Sequence, residues 1–151
     1  MHFAEISYDS PEYRMECELR NAVLRVPLGM NLFEEDLSAE REQRHFGLFL
    51  TDGSLAACAI AAAISTDETK IRQMAVRANL QGQGCGRMLM SRLEEILEAD
   101  GVRLLSLHAR AHVAGFYESL GFIRSGDEFT EVGIPHVAMV KSIPAQFPPL
   151  A

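Results

Sequence analysis

The sequence lacks most of the features that would take a chain out of water or tie it to a metal or a disulfide frame. No apolar run approaches the roughly 20 residues that a membrane-spanning helix needs, and the alanine-rich stretch Leu55 to Ile64 reaches about half that length. The chain does not open with a charged segment followed by an apolar one, so no secretory signal and no membrane association are expected. Cysteine is scarce: Cys17, Cys58 and Cys85 are odd in number, widely spaced and in no metal-ligand pattern. They read as reduced thiols of a cytoplasmic protein, and no metal site is expected. Basic residues are outnumbered, giving a formal net charge of -7. That balance argues against a nucleic-acid partner, which would call for a basic face, and mildly favours a cationic or neutral one. Repeats and low-complexity segments are missing too.

What is present suits one globular domain, residues 1–151, with 48% hydrophobic and 23% charged residues. His2 to Tyr8 alternates as a first strand, and Asp9-Ser10-Pro11 reads as a helix cap followed by proline at the first helical position. Met15, Leu19, Ala22, Val23 and Val26 recur at helical steps and predict one buried stripe, ended by Pro27 and Gly29. Glu34 to Arg44 suits a short second helix. His45 to Thr51 and Leu55 to Ile64 read as strands joined at Asp52-Gly53, a dipeptide favoured in tight hairpins. A turn at Ser65 to Thr69 leads to a strand over Lys70 to Val76.

The glycine-rich run Gln81 to Gly86 then opens a helix whose apolar face is Met88, Leu89, Leu93, Ile96 and Leu97, stopped at Asp100-Gly101. Val102 to Leu107 is nearly continuous in apolar residues, as in a strand buried on both faces. A short helix over His112 to Leu120, a strand from Phe122 and another over Ile134 to Lys141 complete the order β-α-(α)-β-β-β-α-β-α-β-β. The proline-bearing tail, with Pro144, Pro148 and Pro149, reads as irregular. This is an α/β chain built on a mixed sheet with helices on its faces.

The segment with readable chemistry is Gln81-Gly82-Gln83-Gly84-Cys85-Gly86-Arg87, set between a strand and a helix. Glycines let backbone approach a ligand, and the unpaired N–H groups of a helix start favour an anion such as a pyrophosphate. A P-loop would end in Gly-Lys-Ser/Thr, whereas Gly86 is followed by Arg87 and Met88. A dinucleotide fingerprint needs Gly-x-Gly-x-x-Gly, and the spacing here is Gly-x-Gly-x-Gly.

The pattern Gln-x-x-Gly-x-Gly resembles the coenzyme A pyrophosphate motif of the GNAT acetyltransferase superfamily. Gln73-Met74-Ala75-Val76-Arg77 is similar to that family's fourth strand. Leu107-His108-Ala109-Arg110, followed by Gly115-Phe116-Tyr117-Glu118-Ser119-Leu120-Gly121-Phe122, is similar to its second signature. The resemblance implies a GNAT fold with splayed fourth and fifth strands, acetyl-CoA as donor, and a small-molecule or peptide amine as acceptor. It implies that backbone at Met74, Ala75 and Val76 pairs with the pantetheine arm and polarises the thioester carbonyl. It implies that the loop Gln81, Gly82, Gln83, Gly84, Cys85, Gly86 and Arg87 holds the pyrophosphate, with Arg77 or Arg87 adding a side-chain contact. Arg110 stands where many relatives carry a cofactor-contacting asparagine, and Phe116 lines the same signature, more suited to packing than to chemistry.

Tyr117 is the implied general acid, protonating the departing thiolate; the competing reading is a packed helix tyrosine. The base is not named by any motif. Glu128, Glu131 and His136 are candidates in a C-terminal stretch, Glu131 to Met139, that resembles an ElaA-like branch of the family. A carboxylate acting through water competes with them, and a lone histidine beside a strand is often structural. Cys85, if exposed at the helix start, would be open to oxidation. A non-catalytic acyl-CoA-binding module is the alternative reading, and family habit makes a homodimer an expectation.

Overall fold

A computed structural model describes residues 1–144; the irregular tail expected around Pro148 and Pro149 lies outside them. The elements are β1 (His2–Ile6), α1 (Pro11–Leu24), β2 (Arg44–Phe49), β3 (Leu55–Ala63), β4 (Glu68–Val76), α2 (Cys85–Ala99), β5 (Leu104–Arg110), α3 (Ala114–Ser119), β6 (Ile123–Arg124), β7 (Phe129–Glu131) and β8 (Ile134–Ser142). Hydrogen bonding orders the strands β1-β2-β3-β4-β5-β8-β6, with β7 on β8, a mixed sheet as expected. The chain divides into two compact units, Met1–Ala62 with Arg72–Glu95, and Ala63–Ile71 with the described residues from 96 onward; β4 and α2 contribute to both.

In the first unit β1, β2 and β3 form an antiparallel meander. Ser10 caps α1 by accepting from the Tyr13 backbone N–H at 3.1 Å, and Pro11 takes the first turn, where its missing N–H costs nothing. Ile6, Tyr13, Cys17, Leu32, Phe49, Leu55, Cys58 and Ala75 make one apolar cluster between α1 and one face of the sheet. On the other face Phe3 stacks on Phe46 with centroids 5.7 Å apart, and the Arg92 guanidinium of α2 lies 5.3 Å over the Phe3 ring. Helices therefore cover both faces of this part of the sheet. Burial of nearly every residue of β3 accounts for its alanines, which fill a strand covered on both sides with little volume.

The buried stripe of α1 is not the apolar one. Its buried residues are Tyr13, Glu16, Cys17 and Arg20; Met15, Leu19 and Val23 pack only partly, and Ala22 and Val26 are exposed. The reason is a closed ionic network. Arg20 donates from Nη1 to Glu16 Oε2 at 2.8 Å and to Glu40 Oε1 at 2.8 Å, and from Nη2 to Glu40 Oε2 at 2.6 Å. The Tyr13 hydroxyl donates to Glu40 at 2.7 Å. His45 on β2 directs Nδ1 at the Glu16 carboxylate, 3.0 Å, and Nε2 at the Glu40 carbonyl oxygen, 2.9 Å. Both ring nitrogens face acceptors, so both must carry hydrogen, and two carboxylates then balance two cations in a dry interior.

Further differences follow from phase. Met88 is exposed and Met90 takes the buried position beside Leu89, Leu93 and Leu97. The polar stretch after α1 forms 3-10 turns at Leu32–Glu34 and Ser38–Glu42 instead of a second α-helix. β5 alternates, with Leu105, Leu107 and Ala109 buried, so only one of its faces is apolar. In the second unit β4 pairs in parallel with β5 over Glu68–Lys70 against Leu104–Ser106. β5 pairs antiparallel with β8 along its whole length, and β7 adds an unexpected short strand on β8.

Candidate functional site

In the first unit the candidate donor-binding residues lie on β4 and the loop that opens α2. Gln73 has φ +53, a left-handed conformation within a strand, just ahead of Met74, Ala75 and Val76. Arg25, at the end of α1, reaches that residue: Nη2 lies 3.5 Å from Gln73 Oε1, while Nε donates to Glu35 Oε2 at 2.8 Å. After β4 the side-chain amides of Gln81 and Gln83 donate to the carbonyl oxygens of Val76 and Asn79, each at 3.1 Å. The two glutamines thus fasten the loop to the chain before it.

Gly82 and Gly84 have φ +78 and +86, conformations that other residues adopt at a cost. A Cβ on either would meet no atom within 4 Å, so the loop presents open backbone. Gly84 accepts the first helical hydrogen bond, from Met88 N–H at 3.0 Å, and Cys85, Gly86 and Arg87 form the first turn of α2. The first N–H groups of any helix have no carbonyl of that helix one turn earlier to donate to. Arg87 is exposed at this end, whereas Arg77 donates to the Leu55 carbonyl at 2.7 Å and is committed to β3. Cys85 is buried, with Sγ 3.9 Å from Met1 Sδ, so the exposure on which an oxidation role depended is not met.

In the second unit the polar face of the β5–β8 ladder gathers most of the remaining candidates. Arg110 stands opposite His136 in the register. His136 is buried, and its Nδ1 lies 2.9 Å from the Ile134 carbonyl oxygen, which only an Nδ1–H can satisfy. Its Nε2 is 3.6 Å from Glu131 Oε2. The other Glu131 oxygen, Oε1, lies 3.0 Å from Nδ1 of His108. That contact and the two histidines near it hold the Glu131 carboxyl below its ordinary range against the opposing effect of burial. Lys70 Nζ sits 3.4 Å from the same His108 nitrogen. Phe129 meets the His108 ring edge-on at 5.0 Å and lies nearly parallel to His136 at 6.1 Å. Glu131 is delivered by the two-residue turn Val132–Gly133, both residues at positive φ.

His108 and Lys70 were not among the residues singled out from sequence. The signal for His108 was its exposed position in an alternating strand; its partner lies 23 residues later, and nothing local announces it. Glu128 is exposed on the segment before β7. On α3, Tyr117 packs edge-to-face against Phe116, 5.1 Å, and Phe122, 5.8 Å. Burial pushes its hydroxyl up to about 12.

Among the described residues Glu16, Glu40 and His45 bring ligand atoms within 4.8 Å of one another. Arg20 already occupies the space between the two carboxylates, so the cluster is an ion-pair network.

Comparison with known proteins matches the geometry to a family. An "Acetyltransferase (GNAT) domain" model matches residues 29–143. The uncharacterized protein YyaT of Bacillus subtilis (strain 168) is 39% identical over 74 residues, 49% of this chain and 50% of that protein. The matched stretch thus spans about half the length of the first curated relatives. Among solved structures, Escherichia coli ElaA superposes with a TM-score of 0.78 at 25% identity, covering 93% of this chain and 98% of that one. An aminoglycoside 6'-N-acetyltransferase complexed with coenzyme A shares the fold, with a TM-score of 0.73 at 16% identity over 95% of this chain and 98% of that one. With a family model covering most of its length, the chain belongs to the GNAT acetyltransferase family.

Proposed function

We propose that the chain works as a single N-acetyltransferase domain that moves an acetyl group from acetyl-CoA to a primary amine of a small molecule or peptide. The observation that carries this reading is the open glycine cradle of Gly82 and Gly84 at the start of α2, inside the stretch that matches the GNAT family. Backbone amides of Gly82 to Arg87 and the dipole of a 15-residue helix suit a pyrophosphate. The backbone of Met74, Ala75 and Val76 would hold the pantetheine arm and polarise the thioester carbonyl, with Phe116 and Arg110 as further contacts.

In the transfer, the amine lone pair forms a C–N bond to the thioester carbon and the C–S bond breaks. Tyr117 donates its phenolic proton to the departing thiolate and recovers one from solvent. Its hydroxyl is protonated at neutral pH, the state a donor needs. The amine must lose a proton, and the polar group around Glu131 and His136 is the part of this chain suited to assist. All three cysteines are buried, which favours direct attack over a covalent enzyme intermediate. The acidic balance disfavours nucleic acid as a partner, and no helix among the described residues is long and apolar enough to cross a membrane. The reading assigns the protein to the reducing cytoplasm and includes a homodimer, to be checked by light scattering.

The test is calorimetric titration of acetyl-CoA, desulfo-CoA, ATP and NAD against the parent and Gly84→Glu. We expect acetyl-CoA to bind above ATP and NAD, and the folded variant to lose it by steric and charge exclusion. Preference for ATP or NAD, or no binding of acetyl-CoA, would reject the reading. Binding without turnover of any amine would favour an acyl-CoA-binding module.

A further inference from the structure

We infer that His108 is the residue that takes the proton from the acceptor amine, at Nε2, with Glu131 as the positioning residue that fixes its tautomer. The inference rests on the transferase reading above and deepens it.

The argument begins with the carboxylate. Glu131 is held ionised, and an ionised carboxylate only accepts hydrogen bonds. Its 3.0 Å contact with His108 therefore requires hydrogen on Nδ1, which leaves the lone pair of the neutral ring on Nε2. Among the described residues Nε2 has no hydrogen-bond partner, and the side chain is 34% exposed. Phe129 braces the ring edge-on, which fixes its direction as well as its tautomer. A base oriented by a carboxylate on its far nitrogen is the arrangement that general-base catalysis requires.

His136 is arranged for a different task. It is buried, and its Nδ1–H is committed to the Ile134 carbonyl. Its Nε2 lies 3.6 Å from the second oxygen of Glu131, beyond hydrogen-bond length. The charged and titratable groups on this face are Lys70 and Glu68 from β4, Arg110 from β5, Glu131 from β7 and His136 from β8. Glu68 is engaged by the Ser106 hydroxyl at 2.9 Å. Lys70 Nζ, which can only donate, lies 3.4 Å from His108 Nδ1, farther out than the Glu131 oxygen at 3.0 Å that sets the tautomer, and makes no hydrogen bond to Nε2 among the described residues.

The step balances. An alkylammonium gives one proton to Nε2, the neutral amine attacks the thioester carbon, the thiolate takes the proton of Tyr117 as the C–S bond breaks, and the second proton shed by the acylated nitrogen passes through water to restore the Tyr117 hydroxyl. Imidazolium returns its proton to solvent, so that one amide, one thiol and one released proton are formed.

The experiment measures acetyl transfer to 1,4-diaminobutane, free methionine and an alanine-initiated peptide as a function of pH, for the parent, His108→Gln, His108→Ala and Glu131→Gln. We expect His108→Gln to lose roughly 10²- to 10⁴-fold in kcat near neutrality, with acetyl-CoA affinity within about twofold of the parent. The variant rate should then rise with pH as water deprotonates the amine, and added imidazole should restore activity to His108→Ala. Glu131→Gln should show a smaller loss and a displaced pH profile. Nitrogen-15 spectra of the parent should report an Nδ1–H tautomer for His108. An Nε2–H tautomer, or a His108→Gln enzyme with the parent's rate and pH profile, would overturn the inference while the transferase reading stood. Acetyl-CoA binding with none of these amines acetylated would overturn both.

Discussion

Two clusters in this molecule use the same chemical vocabulary to opposite ends. The first joins Glu16, Glu40, Arg20 and His45 beneath α1; the second joins Glu131, His108, His136 and Lys70 on the β5–β8 face. In the first, both nitrogens of His45 are spent on acceptors and every member is buried. In the second, one nitrogen of His108 is fixed, the other has no hydrogen-bond partner among the described residues, and the side chain is part-exposed. A histidine with both ends engaged is a strut, and one with a single end engaged can exchange a proton. Composition does not separate them. Satisfaction and exposure do.

That contrast can be broken from either side. The largest effect is expected for Arg20→Ala, which leaves Glu16 and Glu40 buried without their shared cation. Urea unfolding should show a loss of roughly 3–5 kcal/mol, with a companion Arg20→Lys recovering only part because the forked geometry is gone. Acetyl-CoA affinity of the fraction still folded should be retained.

The network also sets a pH dependence. Burial opposes charge on His45, but its contacts with Glu16 and Glu40 outweigh that and raise its pKa. A histidine whose folded pKa is raised contributes stability that is fully present below its unfolded pKa, near 6.5, and is lost as pH rises through the folded value. Melting temperature should therefore fall on the alkaline side of 6.5, and His45→Gln should be less stable at pH 6 and flatten that slope. Removing the Ser10 cap with Ser10→Ala should cost about 1 kcal/mol by the same unfolding measurement, without touching either cluster. The smallest change in stability, within about 0.5 kcal/mol, is expected for His108→Gln, a surface change. A large destabilisation by His108→Gln would show the second cluster to be structural as well.

Legibility from sequence followed the range of the interactions. The Ser10-Pro11 cap, the Asp52-Gly53 turn and the glycine loop before α2 are local, and all three were readable. So was the mixed α/β architecture. Glu16 and Arg20, four apart on a helix, look like a solvated surface pair; only His45, 29 residues beyond Glu16, and Glu40 make them interior. The apolar spacing of Met15, Leu19 and Val23 therefore pointed to the flank of the buried face. Met88 and Met90 exchanged places because either phase of α2 offers a plausible stripe. Among the candidate residues, the loop and Tyr117 were marked by motif, whereas the partnership of His108 with Glu131 depends on how β7 is registered on β8.

The Val132–Gly133 turn gives that register a measurable lever. Two residues between β7 and β8 set the parity that puts Glu131 on the same side as His136. One inserted residue that slipped β7 by a single step would turn Glu131 to the opposite face, with every candidate side chain still in the sequence. Val132, β-branched at φ +46, is an unfavourable occupant of such a turn, while asparagine before glycine is the favoured pair. The reach of the carboxylate is therefore encoded as loop length, and the tension in that loop could be relaxed by exchanging a residue that touches neither histidine.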